Sequence, residues 1–137
     1  MSNGFPDSTR IALGIDPGTA IVGYAVVMAR GSTLSMMVCD VITTPAKMPL
    51  AQRLQLIYEG LSKIIATYKP HEAAMEELFF AKNARTAMTV GQARGVAMLA
   101  LANGGLSVAE YTPKQVKQAV TGYGGAGKEQ VGEMVRI

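Results

Sequence analysis

Two stretches of the sequence place carboxylates where a buried charge needs a chemical reason. In the first, the apolar run from Ile11 to Ile15 leads directly into Asp16, which is followed by Pro17-Gly18 and a second apolar run from Tyr24 to Met28. The pattern predicts a strand, a tight turn and a returning strand, with Asp16 ending a buried strand. A charge there is costly unless a cation or hydrogen bonds accompany it. Asp before Pro-Gly also favours turns for local backbone reasons, so a purely structural role stays open.

The second stretch, from Ala73 to Phe80, carries the adjacent acids Glu76 and Glu77 inside an apolar run. Because it follows a helical pattern, it is predicted to be a strand that has crossed over to lie parallel to the first strand. Alternation along a strand directs one glutamate to solvent and the other to a face lined by apolar neighbours. The alternative is an edge strand on which both glutamates are solvated.

The elements between these stretches form a regular pattern. Leu34 to Thr43 is predicted to be a third strand that completes an antiparallel meander, with Cys39 as a small core residue. Apolar residues at helical spacing from Leu50 to Ile64 predict an amphipathic helix on the sheet, ended by Tyr68-Lys69-Pro70. His71 then lies in a loop, and we expect it at the surface with no chemical role.

The second half begins with a long predicted helix, capped by Asn83 and ending at Asn103 before two glycines. Ala87, Gly91 and Gly95 recur every four residues along it. Glycine costs about 1 kcal/mol relative to alanine inside a helix, so this stripe of small residues indicates close packing, either on the sheet or at a subunit interface.

The last elements are short. Ser107 to Tyr111 is predicted to be a fifth strand, and Pro113 is well placed at the start of a helix that runs to Val120. A glycine-rich loop ending at Lys128 follows, and Glu129 to Ile137 begins another helix.

Composition limits the class of protein. With 137 residues, 49% of them hydrophobic, the chain suits one domain, which we expect over residues 10–137 after a flexible tail of residues 1–9. One cysteine and one histidine exclude an internal disulfide and a Cys/His zinc site, so any metal would be held by oxygen. We find neither a secretory signal nor an apolar run long enough for a membrane span. The net charge of +3, with seven basic residues against three acidic ones after Glu77, permits a polyanionic partner.

The order of predicted elements is that of the ribonuclease H-like fold: an α/β domain whose five-stranded mixed sheet has three antiparallel meander strands and two parallel strands, flanked by helices. In that architecture the first and fourth strands are neighbours, so Asp16 and a glutamate of the fourth strand would lie at adjacent strand ends. Two carboxylates there repel each other unless a divalent cation lies between them, and magnesium prefers such oxygen ligands. Two such ions can support phosphodiester hydrolysis.

Several motifs, in this order, make the sequence resemble the bacterial RuvC-type Holliday-junction resolvases. They span nearly the whole chain from Ile11 onward, and the set is far more specific than any one motif. The stretches that carry the resemblance are Leu13 to Thr19 with Gly23-Tyr24, Phe79 to Ala84, Gly91 to Gly95, Tyr111 to Lys117 and Thr121 to Gly124.

The resemblance implies a homodimeric, magnesium-dependent DNA endonuclease of the bacterial cytoplasm, with Mn²⁺ as a substitute metal. Its family nicks four-way junctions symmetrically in recombination and repair, beside a branch-migration motor complex. Asp16 and Glu76 correspond to catalytic metal ligands, Phe79 to an aromatic that contacts bases at the junction centre, and Lys117 and Lys128 to lysines near the scissile phosphate. The region of Gly91 to Gly95 corresponds to the family's dimer interface. The remaining DNA-binding residues that we expect are Lys82, Asn83, Arg85 and Lys114.

One departure and two rival functions remain. The family continues past the position of Ile137 into a final helix with two further aspartates, so the domain is expected to lack that helix, to bind metal weakly and to cleave little or not at all. A non-catalytic junction-binding module is the first rival. The second is a fragment of a sugar-kinase or actin-like ATPase, which needs a second Asp-x-Gly hairpin, whereas Asp16-Pro17-Gly18 is the only one in the sequence.

Overall fold

The computed structural model describes residues 9–77 and 84–111, which form a five-stranded mixed sheet with two helices packed on one face. The strand order across the sheet is β3-β2-β1-β4-β5. The elements are β1 (Thr9–Asp16), β2 (Ile21–Arg30), β3 (Thr33–Thr43), α1 (Leu50–Tyr68), β4 (Glu72–Glu76), α2 (Ala84–Asn103) and β5 (Val108–Tyr111).

The predicted ribonuclease H-like topology is confirmed. Strands β1, β2 and β3 pair as an antiparallel meander. Strand β4 lies parallel to β1, with Ile15 opposite Met75, and β5 lies parallel to β4, with Glu76 opposite Tyr111. Because β5 covers the outer side of β4, the alternative of an edge position for the two glutamates is wrong.

The hydrophobic core lies between one face of the sheet and the two helices. Alternation along β1 buries Ile11, Leu13 and Ile15 completely or nearly so. Burial of a large aliphatic side chain contributes about 1.5–3 kcal/mol, so this strand anchors the domain. The helices complete the core with Ile57, Leu61 and Ile64 from α1 and with Ala93, Ala97, Ala100 and Leu101 from α2.

The opposite sheet face is built mainly from small residues and carries the candidate chemistry. Asp16 is paired with Gly23 of β2. Gly14 is paired with Ala25 of β2 on one side and with Ala74 of β4 on the other. Ladder partners project to the same side of a sheet. Asp16 therefore lies on the face away from the two helices.

Several predicted boundaries differ from the structure by one or more residues. Thr9, expected in the tail, already belongs to β1 and is 3% exposed. The fourth strand, predicted to run to Phe80, ends at Glu76, and the fifth begins at Val108, one residue later than expected. The predicted cap Asn83 and the elements expected after Tyr111 lie outside the described residues.

Cys39 is exposed, so its assignment to the core is wrong. It is paired with Ala25 and therefore lies on the face of small residues, away from the helices. Apolar residues follow both faces of β3, which is why a hydrophobic run did not indicate which of them is buried.

His71 is not the free surface residue that we expected. The Ile11 N–H donates to His71 Nδ1 at 2.9 Å, and the His71 N–H donates to the Ile11 carbonyl at 2.7 Å. The imidazole nitrogen therefore accepts a β1 backbone hydrogen bond in the way that a carbonyl oxygen of a neighbouring strand would. It joins the β1 and β4 strands at the end opposite to Asp16 and Glu76.

The stripe of small residues on α2 does not pack on the sheet. Ala87, Gly91 and Gly95 are exposed, and no described neighbour lies within 4 Å of a Cβ built on either glycine. Met88 and Leu99, which share this side of the helix, are 65% and 54% exposed. We call these five residues the α2 outer face. Of the two explanations for the stripe, packing on the sheet is therefore wrong.

Candidate active site

The sheet brings the two predicted carboxylates together. Because Ile15 is opposite Met75 in the parallel β1–β4 ladder, the next residues, Asp16 and Glu76, lie side by side at the ends of adjacent strands. Both project to the face of small residues. Asp16 is exposed and Glu76 is half-buried, so the pair is open to solvent on one side.

The electrostatics of the pair are unfavourable for two negative charges. Burial raises the pKa of Glu76, and the charge of Asp16 and a hydrogen bond to its carboxyl raise it further. A neighbouring like charge disfavours the ionised form of Glu76, so a cation between the two groups would relieve the repulsion. Oxygen anions placed in this way suit a divalent cation.

The turn after Asp16 is held by a chain of threonine hydrogen bonds. Thr19 Oγ1 donates to the Thr89 carbonyl of α2 at 3.2 Å, and Thr44 Oγ1 donates to the Thr19 carbonyl at 2.6 Å. Arg53 Nε of α1 donates to Thr44 Oγ1 at 2.9 Å. Both helices therefore fix the position of the turn.

Two glycines shape the space near Asp16. A Cβ on Gly18 would lie 2.5 Å from the Ile21 carbonyl oxygen, so a side chain there would displace the turn. A Cβ on Gly23 would lie 3.7 Å from the Cβ of Asp16, on the same sheet face. The missing side chain at Gly23 leaves space beside the carboxylate of Asp16.

Strand β5 is attached to α2 by an ion pair. Arg94 Nη2 lies 2.8 Å from Glu110 Oε1, and the two side chains are 22% and 40% exposed. Glu110 immediately precedes Tyr111, the residue opposite Glu76. The ion pair thus positions the end of β5 that borders the carboxylates.

Of the other predicted DNA-binding residues, the structure describes only Arg85, which is exposed in the first turn of α2. It is a cation available to solvent on the helix that receives the Thr19 hydrogen bond. The predicted residues Phe79, Lys82, Asn83, Lys114, Lys117 and Lys128 lie outside the described residues.

The structure adds residues that the sequence analysis missed. Tyr111 was noted as a strand end and as the start of a family-like stretch, with no role of its own, yet the parallel order of β1, β4 and β5 could have placed it beside Glu76. Thr19 and Thr44 gave no local signal because their partners are distant in sequence. Within residues 9–77 and 84–111, no group of three or more His, Cys, Asp or Glu side chains could hold a metal.

No helix in this part of the chain is long and apolar enough to cross a membrane.

Comparison with known proteins identifies the family of this chain. A family model described as crossover junction endodeoxyribonuclease RuvC matches residues 12–137. The crossover junction endodeoxyribonuclease RuvC of Heliobacterium modesticaldum is 57% identical over 127 residues, which cover 93% of this chain and 78% of the relative. The protein of the same name from Chloroflexus aggregans is 58% identical over 126 residues, covering 92% of this chain and 77% of its own length.

A solved structure gives the same result. The structure of Thermus thermophilus RuvC in complex with a Holliday junction substrate matches with a TM-score of 0.86 and 34% sequence identity, over 93% of this chain and 78% of that one. The fold of this chain is therefore shared with a relative that was solved with a junction. The chain belongs to the RuvC family of crossover junction endodeoxyribonucleases.

Proposed function

We propose that this chain forms the nuclease domain of a structure-selective endonuclease that resolves four-way DNA junctions, with Asp16 and Glu76 as catalytic residues. The observation that carries the proposal is the placement of these two carboxylates at adjacent strand ends, close enough for a hydrogen bond between them. The family supports the substrate, because relatives bear the name crossover junction endodeoxyribonuclease and one was solved with a Holliday junction.

The carboxylate pair fits a hard divalent cation. Both ligands are oxygen anions, their mutual repulsion is not relieved by a described basic group, and one side is open to solvent. Asp16 and Glu76 would hold Mg²⁺, with Mn²⁺ as a substitute, and water would complete its coordination. When bound, such an ion supplies activation of the attacking water and stabilisation of the leaving oxygen.

The residues of the chain orient the reaction. The threonine chain and Gly18 hold the Asp16 turn in one position, and Gly23 leaves room for a DNA strand beside Asp16. A water oxygen adds to phosphorus and gives up a proton to the solvent, the phosphodiester bond to the leaving sugar oxygen breaks, and that oxygen takes up a proton from the solvent. Holding the groups in place is worth orders of magnitude in rate, so the rigid turn is part of the catalytic apparatus.

DNA binding would use cations near this face. Arg85 is exposed on α2 and available to a phosphate. By resemblance to the family, we assign the remaining contacts as proposed in the sequence analysis: Lys82, Asn83 and Lys114 to DNA, Phe79 to bases at the junction centre, and Lys117 and Lys128 to the region of the scissile phosphate. The basic residues among them are tested by the salt dependence of binding, because each lost phosphate contact reduces the slope by about one.

A homodimer is part of the proposal. The α2 outer face exposes two large apolar side chains, Met88 and Leu99, beside glycines that let a second backbone approach. A two-fold dimer would present two identical sites, which suits symmetric nicking of two strands. The resemblance to the family further supports action in the bacterial cytoplasm and a branch-migration motor complex as partner.

A binding module without cleavage is the second candidate. The observation that favours it is that the described part of the chain brings together only two carboxylates at the site. Such a module would bind four-way junctions through the same face and leave the strands intact.

A nicking assay separates the two candidates. The protein, expressed to its natural stop codon, is incubated with a labelled four-way junction and with a linear duplex in Mg²⁺. We expect nicking of the junction alone, and its loss in Asp16→Asn and Glu76→Gln. Glu72→Gln, at the other end of the same strand, is the matched control. Junction binding without nicking by wild type would support the module, and nicking by either site variant at the wild-type rate would refute that residue's role.

A further inference from the structure

A third side chain shares the sheet edge with the two carboxylates. Strands β4 and β5 are paired in parallel with Glu76 opposite Tyr111, and the Glu77 N–H donates to the Tyr111 carbonyl oxygen at 2.7 Å. Ladder partners project to the same face, so the Tyr111 side chain lies on the face of the carboxylates. Asp16, Glu76 and Tyr111 are the last residues of three adjacent strands.

The Tyr111 hydroxyl is a neutral group, because an ordinary phenol has a pKa of about 10 and keeps its proton at physiological pH. A neutral phenol is a hydrogen-bond donor and a poor metal ligand. No residue of the described part accepts a hydrogen bond from this hydroxyl. The site therefore holds an available neutral donor beside two acids.

A neutral donor at this position suits an anionic acceptor that comes from outside the chain. The nearest proposed substrate group is the DNA phosphate, whose charged oxygens must approach the carboxylate pair for hydrolysis. We propose that the Tyr111 hydroxyl donates a hydrogen bond to a non-bridging oxygen of the phosphate that is cleaved. This inference rests on the proposed nuclease function and adds a substrate-contacting residue to its site.

The contact defines how the phosphate would be oriented. A donor one strand beyond Glu76 fixes one oxygen of the phosphate, while the carboxylate pair defines the other side of the site. Hydrogen bonds to charged groups are among the stronger ones in proteins, and the bond would strengthen as charge builds on phosphorus-bound oxygens. Removal of the hydroxyl should therefore slow cleavage by roughly 10- to 100-fold.

The test compares Tyr111→Phe with wild type and with Tyr58→Phe. The hydroxyl of Tyr58 accepts a hydrogen bond from Asn103 Nδ2 at 2.6 Å, between the helices and away from the strand ends, so this variant is a control for loss of a phenol. We expect slower single-turnover nicking only in Tyr111→Phe. The Mg²⁺ concentration that gives half-maximal nicking should be unchanged. The dissociation constant for the same junction is measured in Ca²⁺, and Tyr111→Phe is expected to bind the junction more weakly than wild type.

A sulfur substitution identifies the contacted atom. Junctions with a phosphorothioate in either configuration at the cleaved position replace one non-bridging oxygen by a weaker acceptor. One configuration should slow wild type more than Tyr111→Phe, because the variant has already lost the bond. A general structural effect of the substitution would not produce this difference, and thermal unfolding measures such an effect directly.

The outcomes are distinct. If Tyr111→Phe nicks junctions at the wild-type rate, the inference is overturned. It is also overturned if the variant needs a different Mg²⁺ concentration for half-maximal nicking while phosphorothioates slow it as much as they slow wild type, because that result would place Tyr111 at the metal. If wild type binds junctions without nicking them, the nuclease function fails separately. The Ca²⁺ measurement then decides the role of Tyr111, and equal junction affinities of wild type and variant overturn it.

Discussion

The hydroxyl of Thr19 donates a hydrogen bond to the carbonyl oxygen of Thr89, 70 residues further along the chain, at 3.2 Å. This bond joins the turn that follows Asp16 to the helix whose outer face we assign to the dimer. Thr44 holds the carbonyl of the same Thr19 at 2.6 Å. The position of Asp16, one of the two proposed catalytic carboxylates, is therefore linked to a helix that contributes no carboxylate to the site.

Replacement of Thr19 by valine tests this link. The substitution conserves shape and removes the donor, so we expect a loss of about 1 kcal/mol in the free energy of unfolding and about tenfold slower nicking from a displaced turn. Urea unfolding and single-turnover nicking measure the two effects. Thr67→Val, at an exposed position of α1, is the control. If Thr19→Val nicks junctions at the wild-type rate, the Thr19–Thr89 hydrogen bond does not help to position Asp16.

Glu76→Gln should stabilise the metal-free protein at neutral pH while it abolishes nicking. The pKa of Glu76 is raised in the folded state, so folding is penalised when this group is ionised. The gain should be up to about 1 kcal/mol, because solvent screens a half-buried pair. Thermal unfolding in EDTA measures it, and Mg²⁺ should stabilise wild type more than the variant.

The same raised pKa gives a pH dependence of defined sign. The folded state binds more protons than the unfolded state between the ordinary value of 4.5 and the higher folded pKa of Glu76. The stability of metal-free wild type should therefore rise as the pH falls through that window, relative to Glu76→Gln. Glu72→Gln loses only an exposed pair with Arg10 at 3.5 Å and should follow wild type. Parallel pH profiles of wild type and Glu76→Gln would refute the proposed repulsion.

Gly23→Val should separate stability from activity. Valine favours strands, so we expect stability to be kept or raised, whereas the side chain beside Asp16 should reduce nicking at least tenfold by obstructing the DNA. Thermal unfolding and the nicking rate are measured together. Ala25→Val, two residues along the same face of β2, is the matched control. Equal nicking by the two variants would show that the space at Gly23 is not used.

The Arg94–Glu110 ion pair should stabilise the end of β5. Both side chains are partly exposed, so we expect an interaction free energy of about 1–2 kcal/mol, between the values typical of surface and buried ion pairs. A double-mutant cycle with Arg94→Met and Glu110→Gln, read by urea unfolding, measures it. We also expect both single variants to slow nicking, because β5 carries Tyr111. Additive effects on stability would contradict the predicted coupling.

Gly91→Arg should convert the proposed dimer to a monomer. A long charged side chain on the α2 outer face prevents close approach of a second helix, while the open space around the glycine leaves the fold intact. Sedimentation measures the association state, and the junction assay should change from paired to single nicks. Gln55→Arg, at an exposed position of α1, controls for added charge. A Gly91→Arg protein that sediments like wild type would move the interface elsewhere.

Local patterns were sufficient for the strands and helices and for the position of Asp16. The alternating apolar residues of β1 and the helical spacing of α1 each reflect burial on one face, which the sequence records directly. Cys39 was misplaced because β3 is apolar on both faces, and a register shift at Val26/Val27 in the facing ladder interrupts the alternation.

The remaining features depend on contacts between distant residues. Nothing near His71 indicates that its imidazole accepts the Ile11 N–H, 60 residues earlier. Tyr111 looks like an ordinary strand end until the strand order places it beside Glu76. Such partners follow from topology and register, which no local pattern encodes.

The ladder between β1 and β4 also determines the distance on which the chemistry depends. Neighbouring strands lie about 4.8 Å apart, a spacing at which oxygens from both carboxylates can reach a cation that binds them at about 2.1 Å. The distance between the two carboxylates is thus set by the backbone hydrogen bonds between β1 and β4. The imidazole of His71 holds the two strands together at the end away from the carboxylates. A slip of β4 by one residue would turn Glu76 toward the helices and leave Asp16 alone. Changes in the α1–β4 connection are therefore tolerated only when they preserve the ladder, whatever side chains they introduce.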